Sequence, residues 1–135
     1  MKTGNSELFG LMMQGCGLSF EAAATLLSVD VDMVMVWFSG TRQPDETAIW
    51  KLAEFARFQA EIADEILEVW RASDRPTSIK YGVSVSDAGA RSLGWPSRDS
   101  QIAAVAQAQI ALAPVIIEIV PMPVGDRNAE THHAA

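Results

Sequence analysis

The side chains that most often carry enzyme chemistry are few in this chain and poorly placed for it. The only histidines are the adjacent pair His132 and His133, and two neighbouring imidazoles without a carboxylate beside them make a poor metal site. Four carboxylates share one face of a predicted helix, with no histidine to complete a set of ligands: Glu61, Asp64, Glu65 and Glu68. An enzyme needs a nucleophile, a base and an oxyanion device in one cleft. The sequence therefore predicts a protein without enzymatic activity, without a cofactor and without a metal ion.

Length and composition restrict the class of protein. The chain has 135 residues, of which 49% are hydrophobic, and this suffices for one domain or two very small ones. No apolar run approaches the roughly 18 to 20 residues of a membrane helix, and the N-terminus lacks the pattern of a signal peptide. Cys16 is the only cysteine, so the chain forms no internal disulfide. These features predict a cytoplasmic protein that does not engage a membrane.

The charge of the chain weighs against nucleic-acid binding. The formal net charge is −7, whereas lysine and arginine supply most of the non-specific affinity of proteins for DNA. Up to Pro44 the only basic side chains are Lys2 and Arg42. Four acidic side chains outnumber them there: Glu7, Glu21, Asp30 and Asp32. DNA binding therefore depends on whether the few cations gather on one face.

A segment in the first third of the chain has the most informative pattern. Ser19 is placed to cap a helix that ends at a turn over 28–30. Asp30 is suited to cap the next helix, over 31–39, and Gly40 follows where a left-handed residue commonly ends a helix. Two short helices joined by a tight turn are the outline of a helix-turn-helix, a motif that binds DNA through its second helix.

Another helix is predicted before this segment. Ser6 is a plausible N-cap for a helix over about 7–14. Its apolar residues at i, i+3 and i+4 predict a buried stripe of Leu8, Leu11 and Met12.

A long helix is predicted after the segment, with Asp45 as its N-cap, and it continues to about residue 72. That length exceeds the need of a small helical domain. Apolar residues keep a helical spacing to its end: Ile62, Ile66, Val69 and Trp70. Such a helix needs another partner, which either a second domain or a second copy of the chain can supply. Core or dimer-interface anchors are the expected roles of Trp50, Trp70 and Trp95.

The remaining pattern predicts a small α+β unit. Its expected elements are a strand over 78–85, a short helix over 86–93, a helix capped by Ser97 that ends before Pro114, and a strand over 115–120. Pro121 is expected to stop the last strand. The expected domains are a helix-turn-helix domain over 1–60, the end of the long helix with an α+β dimerisation unit over 61–123, and a disordered tail over 124–135. The fold class is therefore expected to be mainly α, with a small α+β C-terminal unit.

Several positions of the helix-turn-helix segment match a known pattern: Ser19, Glu21, Ala22, Ala23, Leu27, Val29, Trp37, Gly40, Arg42 and Pro44. Through them the stretch LSFEAAATLLSVDVDMVMVWFSGTRQP resembles the Cro/C1-type (lambda-repressor-like, Xre) helix-turn-helix family. The resemblance covers about residues 6–60. It implies a lambda-repressor-like helical domain that binds double-stranded DNA as a homodimer and regulates transcription.

The second half of the chain is similar to a two-domain branch of that family, which includes anti-CRISPR-associated repressors. The supporting segments are the Arg75-Pro76 pair before a strand and LGWPSRDSQIAAV before the last predicted helix. In that branch a long helix leads to a small α/β domain that pairs two copies. The resemblance therefore implies that the C-terminal unit dimerises.

The resemblance also implies which side chains meet DNA. The helix over 31–39 would lie in the major groove, where Val31 and Met33 can touch thymine methyl groups and Asp32 can accept from a cytosine amino group. The groups expected at phosphates are Ser19, Thr41, Arg42 and Gln43. The full expected set of DNA-binding residues is Ser19, Phe20, Asp30, Val31, Asp32, Met33, Met35, Thr41, Arg42 and Gln43.

Three departures from the family pattern support a competing hypothesis. The family usually has glycine at Ser28, a polar or basic residue at Met35 and Val36, and often glutamate at Phe38. The helix over 31–39 is consequently apolar nearly all round, which also suits a protein interface. The competing hypothesis is an adaptor or antitoxin-like module that docks a protein through this helix and binds little or no DNA. Both hypotheses require the helix to be exposed, whereas a third, purely structural role would bury it.

Overall fold

The computed structural model describes residues 4–122, which form a mainly helical fold with a small parallel sheet. In chain order its elements are α1 Gly4–Gly15, α2 Phe20–Leu27, α3 Val31–Ser39, α4 Glu46–Ala72, β1 Ser78–Ser84, α5 Asp87–Ser92, α6 Arg98–Leu112 and β2 Ile116–Met122. This confirms the predicted fold class, mainly α with a small C-terminal α+β unit. The predicted tail lies outside the described residues. Contacts within the chain define two compact units with a boundary between Phe58 and Gln59, so α4 contributes to both.

An aromatic contact between α1 and α3 lies in the core of the first unit. The rings of Phe9 and Trp37 meet edge to face, with 5.7 Å between their centroids. Phe9, Val34 on α3 and Leu52 on α4 are fully buried. One side of α3 therefore belongs to a core that it shares with side chains of α1 and α4.

The predicted buried stripe of α1 is wrong. Leu8 and Leu11 are 47% and 69% exposed, and the buried residues of the helix are Ser6, Phe9, Gly10 and Met13. Both sets have helical spacing, but the second contains the larger aromatic side chain, whose burial removes more apolar surface from water. The predicted N-cap is also wrong, because α1 already includes Gly4 and Ser6 lies within the helix.

The ends of α2 and α3 follow the sequence prediction except at one cap. The Ser19 hydroxyl accepts the N–H of Ala22 at 3.1 Å, which confirms Ser19 as the N-cap of α2. Gly40 has φ 87°, the predicted left-handed residue after α3. Asp30 occupies the N-cap position of α3, but its side chain makes no capping hydrogen bond. The predicted capping by the Asp30 carboxylate is therefore wrong, and only backbone groups close the start of α3: the Asp30 carbonyl accepts from Met33 at 3.0 Å.

The second unit is built on two parallel strands. The register pairs Ser78 with Ile116 and continues to Ser84 with Met122. Helices α5 and α6 form the connection between the strands, because parallel neighbours need a crossover of this kind. The core cluster of this unit contains Ala63, Ile66, Ile79, Tyr81, Val83, Val105, Ala108, Leu112 and Ile117.

The long helix meets a domain of its own chain. Ala63 and Ile66 of α4 belong to the core of the second unit, and Ile62 and Trp70 pack against it. Of the two partners that the sequence left open, the second domain therefore accounts for the excess length of α4. A second copy of the chain is not needed to explain it.

The three tryptophans have different environments. Trp95 is 5% exposed and belongs to the core, as predicted. Trp70 is partly buried, and its indole N–H donates to the Pro76 carbonyl at 2.9 Å. Trp50 is 69% exposed, so the prediction of a core role is wrong for this residue. Its alternative role as an anchor between copies stays a prediction.

Two glutamines of α6 occupy the outer edges of the sheet. The Gln109 amide donates to the Val115 carbonyl and accepts from the Ile117 N–H, both at 2.8 Å. Gln101 accepts from the Ser84 N–H at 3.1 Å. The backbone N–H and C=O groups at the edge of a sheet need hydrogen-bond partners. Gln101 and Gln109, two helical turns apart on α6, supply these partners in place of further strands.

Strand β2 continues through Pro121, where the sequence predicts its end. The N–H of Ile116 donates toward β1, to the Thr77 carbonyl at 3.4 Å, whereas the N–H of Ile117 points outward to Gln109. Alternate residues of a strand point to alternate sides, so Pro121 lies on the outward side. Proline has no backbone N–H, but at this outward position none is needed for the hydrogen bonds between β1 and β2. The predicted end of the strand at Pro121 is wrong for this reason.

No helix within residues 4–122 is by itself long and apolar enough to cross a membrane. The adjacent helices α2 and α3 reach the required length and composition only as a pair, and that pair is bent by 111°.

Candidate nucleic-acid interface

Helices α2 and α3 form a sharply bent pair. They differ in direction by 111° across the break at 28–30, which lies within the roughly 90 to 120° of a helix-turn-helix. Ser28 makes the change of direction possible, because its φ of 57° and ψ of 45° place it in the left-handed region. Its N–H still donates back to the Thr25 carbonyl at 3.4 Å. The turn therefore places α3 across α2 rather than in line with it.

The buried side of α3 determines which side faces outward. Val34 and Trp37 are 0% and 3% exposed and mark the inner side. At 3.6 residues per turn, the opposite side carries four residues, which we call the α3 outer face: Asp32, Met35, Val36 and Ser39. Met35 is 46% exposed, Asp32 and Ser39 are exposed and Val36 is half-buried. The exposure of α3 that both hypotheses require is therefore present.

Three of the residues predicted to contact DNA are half-buried rather than exposed. Met33 is half-buried and lines a pocket at the α2–α3 turn together with Trp37. Val31 is half-buried on the other flank of α3. Phe20 is half-buried because its ring meets that of Phe38 edge to face, at 5.2 Å between centroids. The structure therefore places Met35, rather than Met33, on the exposed side of α3.

The side chains predicted at phosphates are all exposed: Ser19, Thr41, Arg42 and Gln43. The Ser19 hydroxyl is engaged as the acceptor for Ala22, which leaves its own hydrogen to donate. The Ser39 hydroxyl donates to the Val36 carbonyl, so the Thr41 hydroxyl, 2.9 Å away, donates to Ser39 and joins the loop to the end of α3. Ser19, Arg42 and Gln43 therefore carry exposed donors at the start of α2 and in the loop after α3.

Cations are scarce in the first unit. The basic side chains within residues 4–58 are Arg42, Lys51 and Arg57. The Lys51 ammonium donates to the Leu27 carbonyl at 3.4 Å, at the negative end of α2. The acidic side chains of the same range are more numerous: Glu7, Glu21, Asp30, Asp32, Asp45, Glu46 and Glu54. Lys2 lies outside the described residues. Within them, Arg42 is the cation nearest in sequence to the α3 outer face.

A pocket with mixed polar and apolar lining opens between α1 and α3. It has a volume of about 270 Å³, and its lining residues are Glu7, Gly10, Leu11, Gln14 and Phe38. The absence of a side chain at Gly10 allows this approach, since a Cβ there would lie 3.2 Å from Cε2 of Phe38. The sequence predicted that Leu11 is buried in the stripe of α1, so it gave no indication of this pocket.

Two residues of the α3 outer face, Val36 and Ser39, were missing from the predicted set. A signal for them was present, because Val34 and Trp37 have core spacing and the residues opposite that pair must face outward. The prediction instead followed family positions at the start of the helix. The structure adds that the Ser39 hydroxyl donates to the Val36 carbonyl at 3.1 Å, so it is engaged within the helix.

Nothing in the described residues resembles a metal centre. Among residues 4–122 no group of three or more histidine, cysteine, aspartate or glutamate side chains is placed to hold a metal ion. Burial raises the pKa of the Cys16 thiol, and a thiol that holds its proton is a poor nucleophile and a poor ligand. Cys16 therefore serves the packing of the first unit.

Comparison with models of known protein families finds no match to this chain. Comparison with curated protein sequences also finds no significant match.

Proposed function

We propose that this chain is a cytoplasmic helix-turn-helix regulator of the Cro/C1 type, which binds double-stranded DNA as a homodimer. The observation that carries the proposal is the α2–α3 pair, bent by 111°, with one side of α3 buried and the other exposed. A helix with its side chains is about 10 to 12 Å wide and fits a major groove about 12 Å wide. The donors of Ser19, Arg42 and Gln43 are exposed and suit contacts to phosphates.

The low positive charge makes pairing of two subunits important for this function. Each neutralised phosphate adds to DNA affinity, and the first unit has few cations to contribute. A homodimer places two recognition helices about 34 Å apart on a pseudo-palindromic site. Binding of the second helix then becomes intramolecular, which raises the overall affinity without additional contacts.

The surfaces of the second unit favour α6 over α4 as the contact between copies. The exposed carboxylates of α4, among them Glu61, Glu65 and Glu68, would meet like charges in a two-fold interface. Helix α6 has no charged side chain after Asp99. Ile110, opposite the buried side of α6, is 80% exposed. An uncharged surface of this kind can meet its own copy without repulsion.

A binding selection at low salt tests the proposal. The whole protein is mixed with a randomised duplex pool, and the affinity of the recovered sites is measured against salt concentration. Arg42→Ala is expected to weaken binding to all sites and to lower the salt slope by about 1. Arg91→Ala removes the same charge from an exposed position of α5 and is the matched control, expected to change neither. Failure to retain any duplex at low salt would refute the proposal.

A charge added to the α3 outer face gives a second test. Met35→Arg places a cation on the side that is expected to enter the groove, so DNA affinity and the salt slope should both rise, the slope by about 1. Leu8→Arg adds the same charge on α1, at an apolar position that is 47% exposed, and is expected to have a smaller effect. Equal effects of the two variants would mean that α3 is not the DNA-facing element.

The second candidate function is a protein-binding module. It is favoured by the apolar surface that combines Met35 and Phe38 on α3 with the exposed Leu11 on α1. Met35→Asp is expected to abolish co-purification of a stable protein partner in this case. A chain that retains its partner but binds no duplex at low salt would favour the module over the regulator.

A further inference from the structure

The α3 outer face lacks the side chains that read guanine and adenine. Bidentate recognition of these bases needs arginine, lysine, asparagine or glutamine. None of these types occurs within α3, whose sequence is VDMVMVWFS. The Ser39 hydroxyl, the neutral donor of the outer face, already donates to the Val36 carbonyl. Hydrogen-bond donation to a purine is therefore not available from the exposed side of this helix.

The same face presents an apolar side chain on each of its two flanks. Met35 is 46% exposed and Val36 is half-buried. Consecutive residues of a helix are about 100° apart, so these two side chains lie on either side of Asp32 and Ser39. In the major groove the apolar feature of DNA is the C5-methyl group of thymine. The acceptor on this face is Asp32, and a carboxylate in the groove can accept only from a cytosine or adenine amino group.

We infer that Met35 and Val36 recognise thymine methyl groups, so that the operator is specified by apolar contact in the groove rather than by hydrogen bonds to guanine. This inference rests on the proposed function and names the class of site that it would select. Half-sites with thymine at the positions that Met35 and Val36 reach, and with cytosine or adenine opposite Asp32, are the expected ligands. Asp32 excludes guanine and thymine edges opposite it, because their major-groove atoms are acceptors and would repel a carboxylate.

Replacing thymine by uracil tests this inference, because uracil differs only by the missing methyl group and keeps every hydrogen-bonding atom. A duplex recovered by the selection is synthesised with thymine or with uracil at each position in turn, and both affinities are measured with the full-length protein. We expect uracil to weaken binding about fourfold for each methyl group that the protein buries. Positions outside the α3 contact are expected to be insensitive.

Side-chain truncation assigns the effect to a residue. In Met35→Ala, the ratio of the two affinities at one thymine position is expected to fall from about four to about one, because the partner of the methyl group is gone. Val36→Ala is expected to do the same at a neighbouring position. Trp50→Ala removes another exposed apolar side chain and should leave every ratio unchanged. Circular-dichroism melting curves confirm that the variants remain folded.

The possible outcomes separate this inference from the proposed function. Equal affinity for thymine and uracil duplexes, with binding retained, overturns the inference alone. A uracil effect that persists in both Met35→Ala and Val36→Ala also overturns it. Absence of binding to any duplex refutes the proposed function and the inference together.

Discussion

At the scale of single residues, Ser28 is the most unusual position of the first unit. It adopts φ 57° and ψ 45°, a left-handed conformation, and it does so with a side chain where the resembled family usually has glycine. An L-residue other than glycine pays roughly 1 to 2 kcal/mol for this conformation. The turn between α2 and α3 therefore retains strain that glycine would remove.

Replacing this serine tests the argument directly. Ser28→Gly is expected to raise the free energy of unfolding by about 1 kcal/mol, because relief of the strain exceeds the extra entropy that glycine gives the unfolded chain. Urea denaturation measures the change. Ser39→Gly is the control: Ser39 lies within a right-handed helix, so glycine there should lower stability by about 0.5 to 1 kcal/mol. The same sign for both variants would contradict the explanation.

At the scale of elements, α6 has two separate tasks. One side of it contributes Val105, Ala108 and Leu112 to the core of the second unit. Its glutamine amides bind backbone groups at both edges of the sheet, which has two strands within residues 4–122. Unpaired edges of short sheets invite pairing with other chains. The glutamines therefore protect the sheet as well as stabilise it.

The edge contact of Gln109 yields a second prediction. Gln109→Ala leaves the Ile117 N–H and the Val115 carbonyl without their partner, so it is expected to lower the free energy of unfolding by about 1 to 2 kcal/mol. Light scattering should also rise as the freed edge pairs between molecules. Gln107→Ala, at an exposed position two residues earlier, should change stability by less than about 0.5 kcal/mol. Equal stability losses in the two variants would mean that the edge contact contributes nothing.

At the scale of the whole molecule, the two units divide the expected tasks between them. The first carries the α3 outer face, and the second carries the uncharged, exposed side of α6. Because α4 runs from one unit into the other, no separate linker intervenes in the chain. A regulator of this design would read DNA with residues 4–58 and pair through residues 59–122.

The proposed pairing surface makes a prediction about mass in solution. Ile110→Glu is expected to shift the protein from dimer to monomer in sedimentation measurements, because a carboxylate would be buried opposite its own copy. DNA affinity should fall with it as the second α3 is lost. Ala88→Glu adds the same charge at an exposed position of α5 and should leave the mass unchanged. A dimeric Ile110→Glu protein would place the contact elsewhere.

Local signals determined much of this fold in advance. The cap at Ser19, the glycine after α3, the capping serine before α6 and the apolar run of β2 each depend on neighbours within a few residues. Such features are legible in sequence because propensity, capping and periodicity are local properties. The two-helix outline and the mainly α class with a small α+β unit followed from them.

Tertiary packing determined the features for which the local sequence pattern allowed more than one structure. Two sets of apolar residues on α1 have helical spacing. The contact of Phe9 with Trp37 buries one set and leaves Leu11, of the other set, exposed. Pro121 could remain in β2 because its position faces away from β1, a matter of register. Val34 and Trp37 have core spacing in the sequence, and the fold shows that they are the buried residues of α3, which leaves the opposite side exposed. Each of these outcomes depends on groups distant in sequence, and only the folded chain brings them into contact.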